Sequence, residues 1–118
     1  MKKTLTIKDN RVFRRVYNRG RSAVTPFLVV YCRPNGKKLN RLGVTVSTKL
    51  GGAVVRNRAR RRLREVFRLA QPDLRQGFDV VLVARARSVD GPYSRLTAAF
   101  YKACRDVGLT AEKKEGVR

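Results

Sequence analysis

The sequence predicts an α/β fold, a single two-layer α+β sandwich with the element order α-β-β-α-β-α and room for a further short strand at Arg21–Val24. Three observations carry that expectation. The chain has 118 residues, enough for one core and too few for two. Apolar residues recur at helical spacing in separate segments on either side of a β-rich middle. One run, FDVVLVA at residues 78–84, is apolar on both faces, as a strand in the middle of a sheet must be.

Taken in order, the first helix starts after Lys8. Asp9 or Asn10 can cap it, Val12, Phe13, Val16 and Tyr17 form its apolar side, and Gly20 ends it. The strand Phe27–Cys32 follows, with Phe27, Val29 and Tyr31 on one face and Leu28, Val30 and Cys32 on the other. Pro26 marks the start of that strand or a bulge at an edge. Turn residues from Pro34 to Lys38 then suggest a hairpin to a strand with Leu42, Val44 and Val46 on one face and the small or polar Gly43, Thr45 and Ser47 on the other. After the break at residues 49–52, Val55, Ala59, Leu63, Val66, Phe67 and Ala70 define the longest helix, which stops before Pro72. The 78–84 strand leads to a last helix over 92–107, striped by Leu96, Phe100, Ala103, Cys104 and Val107, with Gly108 just past its end. Residues 1–109 are expected to form one domain and 110–118 a polar, frayed tail.

Charge narrows the function. Lys and Arg number 29 against 8 Asp and Glu, a net charge of +21. A chain with that much self-repulsion is expected to meet a polyanion, because neutralising phosphates releases counterions and yields a large, salt-sensitive affinity. A membrane surface would call for a basic amphipathic helix with bulky anchors, and a span for a long apolar run; neither stands out, so no membrane partner is expected. The N-terminus becomes charged again before an apolar signal region forms, which makes the cytoplasm the expected location. Cys32 and Cys104 lie far apart without a CxxC partner, so both read as small buried hydrophobes.

The helix from Val55 to Ala70 concentrates this charge: six of the nine residues from Arg56 to Arg64 are arginine. Arg56, Arg60, Arg64 and Arg68 form one i, i+4 row off the apolar stripe, with Asn57 and Arg61 beside it. Like charges at this spacing destabilise a helix, and Glu65 alone offers relief. A solvated basic face is the bland alternative. Against it stands the use of Arg almost throughout, whose guanidinium fork matches phosphate oxygens. Lys49, Gly51 and Gly52 precede the helix, whose first-turn N–H groups can also take a phosphate.

The segment KLGGAVVRNRARRRLR (residues 49–64) closely resembles the RNR signature of the protein subunit of bacterial ribonuclease P. The resemblance covers nearly the whole chain: D-x-x-x-F-x-x-V-Y/F-x-x-G from Asp9 to Gly20, a strand ending in Tyr31, R-x-G-x-x-V-S from Arg41 to Ser47, and a Val-rich strand before the last helix. Thr48 departs from a usual Lys and Gly52 from a common Asn, so no contact is carried over to those positions. The resemblance implies a mixed sheet like that of ribosomal protein S5 domain 2, with a left-handed crossover where the physical rule favours a right-handed one. It also implies that the catalytic RNA of ribonuclease P docks on Lys49, Arg56, Asn57, Arg58, Arg60, Arg61, Arg64 and Arg68. One protein per ribonucleoprotein is implied as well.

Phe13 and Tyr17 are one helical turn apart, and Phe27 and Tyr31 share a strand face, so helix and sheet together can line a shallow groove with rings. Such a groove suits single-stranded nucleic acid; equally, the rings can close a small core under the first helix. In the family it resembles, this cleft holds the single-stranded 5′ leader of precursor tRNA. That role falls to Phe13, Tyr17 and Tyr31, with Arg14 and Arg15 as backbone contacts, Lys49 beside them, and Phe27 a weaker match. No catalytic residue is expected in the protein. Histidine is absent, the eight carboxylates are not spaced for a two-metal cluster, and there is no Gly-rich phosphate loop. The resemblance accordingly assigns cleavage to the RNA subunit with its Mg²⁺ ions, and no metal or other cofactor to protein residues. A ribosomal or general RNA-binding protein without a leader groove is the alternative.

Overall fold

The structure, a computed structural model, describes residues 5–110. The elements are β1 (Leu5–Thr6), α1 (Asn10–Arg19), β2 (Arg21–Val24), β3 (Leu28–Pro34), β4 (Arg41–Thr45), α2 (Ala53–Ala70), β5 (Phe78–Ala84), α3 (Arg87–Asp90) and α4 (Tyr93–Asp106). The strands form one mixed sheet in the order β1-β4-β5-β3-β2, with β1/β4 and β4/β5 parallel and β3/β5 and β2/β3 antiparallel. This is the expected α+β fold.

The double-sided apolarity of β5 explains the arrangement. Val80, Leu82 and Ala84 enter the main core beneath α2 and α4, where Leu63, Phe67, Leu96 and Phe100 are buried and the Phe67 and Phe100 rings meet edge to face at 6.2 Å. Val81 points the other way, into a smaller cluster with Ile7 and Val16 beneath α1. Fully burying side chains of this size contributes about 1.5–3 kcal/mol each. The stripe expected on α2 is buried from Ala59 to Ala70, with Val55 half-buried. Asp9 supplies the α1 cap, accepting from the Arg11 backbone N–H at 2.8 Å. Gly108 takes the left-handed conformation, φ 78°, just past α4.

Several expectations are corrected. The strands at 27–32 and 41–47 do not form a hairpin, because β5 lies between β3 and β4 and pairs with both. The hairpin is β2–β3, closed by Thr25, whose hydroxyl accepts from the backbone N–H groups of Phe27 and Leu28. Phe27 precedes β3 and turns into the main core, so it does not share the Tyr31 face. The two-residue β1 and the one-turn α3 are too short for a periodic signal. Thr110, expected to open a polar tail, is buried and bridges to Leu74; the remainder of that tail, 111–118, lies outside the described residues.

Cys32 and Cys104 are both free and buried. Burial raises both thiols above their ordinary range, Cys32 to about 11 and Cys104 further still. Neither thiol should therefore react with a disulfide reagent at pH 8 in the native protein, whereas both should react in denaturant. Rapid labelling of either in native buffer would contradict the packing described.

Candidate nucleic-acid interface

Two surfaces emerge, one on each side of the sheet. On the α1 side, Val12, Phe13, Tyr17, Tyr31 and Val83 pack around the Ile7–Val16–Val81 cluster and remain half-buried. Phe13 lies directly over Gly43, where a Cβ would come within 2.5 Å of its ring, so a glycine in β4 is what lets α1 sit this close. Tyr17 meets Tyr31 edge to face at 4.9 Å and 82°, and its hydroxyl shares a 2.9 Å hydrogen bond with the Thr45 hydroxyl. Both ends of that ring are thus fixed. Between α1 and the C-terminal end of β4 opens a hollow of about 380 Å³, lined by Asn10, Phe13, Arg14, Tyr17 and Thr45. Arg15 is exposed on α1 but does not line it.

Sequence reasoning missed Asn10 and Thr45. The signal for Thr45 was present, since it alternates with Gly43 on the small, polar face of its strand.

On the opposite side, α2 sorts its arginines into distinct tasks. Arg58 donates through Nε to the Val89 carbonyl at 2.8 Å. Arg62 donates to the carbonyls of Val89 and Gly91, each at 2.6 Å, and its guanidinium lies 5.6 Å from the Tyr93 ring centre. These two arginines satisfy carbonyls at the end of α3, where cations are also favoured by the helix dipole. Arg62 was not among the expected contacts, and its structural use is invisible without α3. Arg56 donates to the Gly51 carbonyl at 3.2 Å, Arg60 to the Asn57 side chain at 3.0 Å, and Arg68 forms a two-pronged pair with Glu65 at 2.7 and 3.0 Å. Those hydrogen bonds from Arg68 hold the Glu65 carboxyl below its ordinary range. Arg61 and Arg64 are exposed and make no hydrogen bond or ion pair among the described residues.

The two surfaces meet at the C-terminal end of β4. Thr45 lines the hollow, Lys49 is exposed in the 3-10 turn Thr48–Leu50, and α2 begins at Ala53 with no side-chain cap on its free N–H groups. Asp9, Glu65, Asp79 and Asp106 are paired with Arg11, Arg68, Arg41 and Lys102, Asp73 accepts from the Tyr101 hydroxyl, and no group of three metal-ligating side chains converges among the described residues. No described helix is long and apolar enough to cross a membrane.

The sequence profile of the Ribonuclease P family matches residues 1–108. The chain belongs to the ribonuclease P protein family. It is 42% identical to the ribonuclease P protein component of Caldanaerobacter subterraneus over 97% of this chain and 99% of that one. With the component from Natranaerobius thermophilus it shares 39% identity over 86% and 89% of the two chains. The fold superimposes on the Staphylococcus aureus RNase P protein with a TM-score of 0.80, at 30% identity and covering 92% of this chain and all of that one. For the RNase P protein from Thermotoga maritima the TM-score is 0.74, at 29% identity over 82% and 92%. Membership makes the chain a protein component of an endoribonuclease complex of tRNA processing, with RNase P RNA and precursor tRNA as partners.

If Arg58 and Arg62 fasten α3 to α2, Arg62→Ala should lower stability in urea unfolding by about 1–3 kcal/mol. Arg61→Ala should stay within about 0.5 kcal/mol of the parent. Equal losses would remove the distinction between the two arginines.

Proposed function

We propose that this protein holds two RNAs side by side: the single-stranded 5′ leader of precursor tRNA in the α1–sheet hollow, and the catalytic RNA along α2. The observation that carries this reading is the junction at residues 45–53, where the aromatic hollow and the start of the arginine helix lie within one turn of chain. Phe13 and Tyr17, which line the hollow, and Tyr31, which packs on Tyr17 without lining it, supply ring surface for bases, each stacked base contributing about 1–3 kcal/mol with little sequence demand. Arg14 and Arg15 lie on the same helix for the leader backbone. Lys49, Arg56, Asn57, Arg60, Arg61, Arg64 and Arg68 face the catalytic RNA, while Arg58 divides its guanidinium between that RNA and the Val89 carbonyl.

Cleavage belongs to the RNA in this reading. The chain has no histidine, and five of its six described carboxylates are engaged by cations or a hydroxyl, which supports a reading in which the RNA supplies the base and the metal site. The Mg²⁺ of the holoenzyme is held by the RNA. The protein neutralises phosphate and fixes the leader, so that substrate and catalytic RNA approach at lower Mg²⁺ than they otherwise would.

At low Mg²⁺, adding the protein to the RNA subunit should stimulate precursor-tRNA cleavage; no stimulation at any ratio would sink the proposal. Arg56→Ala with Arg60→Ala should reduce the salt slope of catalytic-RNA binding by roughly 0.7–0.9 per lost phosphate contact. Tyr31→Ala should weaken binding of precursor tRNA more than of mature tRNA. Equal losses would mean that the rings serve only as a core, as in a general RNA-binding protein.

A further inference from the structure

The end of the sheet farthest from the hollow carries a second basic surface that neither α1 nor α2 accounts for. β5 runs from Phe78 at that end to Ala84 near the hollow, roughly 20 Å at strand rise. The turn 35–39 presents Lys37 and Lys38, both exposed, and the facing loop presents Arg75. Neither lysine side chain has a hydrogen-bond or ion-pair partner among the described residues.

This turn is held by an unusual amount of buried polar structure. Asn40 is fully buried; its amide donates to the Arg75 carbonyl at 3.0 Å, and its side-chain oxygen accepts from the Phe78 backbone N–H at 2.8 Å. Asn35 donates to the Leu39 carbonyl and to Asp79, its side-chain oxygen accepts from the Lys37 backbone N–H at 2.7 Å, and its own backbone N–H reaches the Gly77 carbonyl. Asp79, 4% exposed, is gripped by Arg41 at 2.6 and 2.7 Å. Arg33 is its other cross-strand neighbour, and it makes no ion pair among the described residues because both Asp79 oxygens are engaged by Arg41 and Asn35. Arg75 is likewise fixed, 5.4 Å from the Phe78 ring centre and donating to the Gly108 carbonyl at 3.1 Å. Two loops are therefore locked into one shape, and what that shape displays is positive charge.

We infer that the 35–39 turn, with Arg33 and Arg75, is a second contact for the phosphate backbone of the catalytic RNA. This rests on the proposed docking of that RNA along α2. The 18 residues of α2 span roughly 27 Å, and the chain then passes through the 3-10 turn Gln71–Asp73 directly to Arg75. The chain after α2 thus carries Arg75 to the same end of the sheet as the 35–39 turn, past one acidic residue, Asp73. The nearby ring, Phe78, is covered by Arg75, so this surface offers charge without stacking and suits the backbone of helical RNA, not the leader.

The test titrates the full-length protein with the RNase P RNA, without precursor tRNA, over a range of monovalent salt. Lys37→Ala with Lys38→Ala removes two exposed side chains and should leave the circular dichroism spectrum unchanged. It should weaken binding and lower the salt slope by roughly 1.4–1.8, the loss of two phosphate contacts. Asn35→Ala keeps every charge but frees the turn, and should weaken binding with little change in slope. An unchanged affinity and slope for the lysine pair overturns the inference, as does a loss seen only once precursor tRNA is added. Arg56→Ala with Arg60→Ala in the same assay separates the two ideas. If that pair lowers the slope and the lysine pair does not, the α2 reading stands and this one falls; if neither pair lowers it, both fall.

Discussion

β5 is the constraint on which the rest depends. A strand with valines and a leucine on both faces cannot sit at an edge or leave one face in water without exposing apolar area worth about 25 cal/mol per Å². It must take the centre, and both its faces must be covered. The consequence is a sheet with α2 and α4 on one side and α1 on the other. Its one polar residue, Asp79, sits at the end of the strand where Arg41 and Asn35 can satisfy it, so the exception ties β4 and the 35–39 turn to the central strand. Removing one partner of so buried a pair costs about 3–5 kcal/mol, because the other charge is left behind. Placing helices on both faces also separates the aromatic hollow from the arginine helix by the thickness of the sheet, except at the end of β4, where chain connectivity brings them together.

The charge has a structural side as well as a functional one. Four ion pairs are present among the described residues, and even if all 8 acidic residues were paired, 21 of the 29 cations would have no partner of opposite charge within the chain. α2 nevertheless forms, since its buried stripe outweighs repulsions of a few tenths of a kcal/mol per like-charged pair. Arg58 and Arg62 ease the crowding by turning to carbonyls of the α3 region, which leaves fewer guanidinium groups competing for the same outer face. A helix built this way is held by its packing and keeps uncompensated charge, Arg61 and Arg64 included, on its outer face.

Much of this was legible in the sequence. Periodicity located α1, α2, β5 and α4 because each buries a continuous stripe or face, and charge density marked α2 as the outward basic helix. The pairing of strands was not legible in the same way. Residues 34–38 carry good turn chemistry, and nothing local to them reveals that a strand more than forty residues later will separate β3 from β4. Phe27 was misplaced for a related reason: alternation puts it on the Tyr31 face only if β3 begins there, and Thr25 instead folds it back into the core. The tasks of Arg58 and Arg62 depend on α3, a single turn without a periodic signature. Asn35 and Asn40 read as ordinary turn residues, and only their burial exposes the network they form.

The sequence left open whether Phe13, Tyr17 and Tyr31 form a small core or line a groove; the three rings pack around the Ile7–Val16–Val81 cluster, and Phe13 and Tyr17 also line the hollow. Tyr17 stands edge-on to Tyr31 with its hydroxyl tied to Thr45, and Phe13 rests on Gly43. Each ring has one side committed to packing, which removes its rotamer freedom before anything binds. Each remains half-buried and not enclosed, and beside Phe13 and Tyr17 the hollow opens. A base stacking there would meet rings whose ordering cost has already been met in folding, so less of the stacking energy is lost to conformational entropy. In the proposed reading, the small core is what pre-forms the platform. A Tyr31 variant therefore reports on both roles at once, and only the difference between substrates with and without a leader separates them.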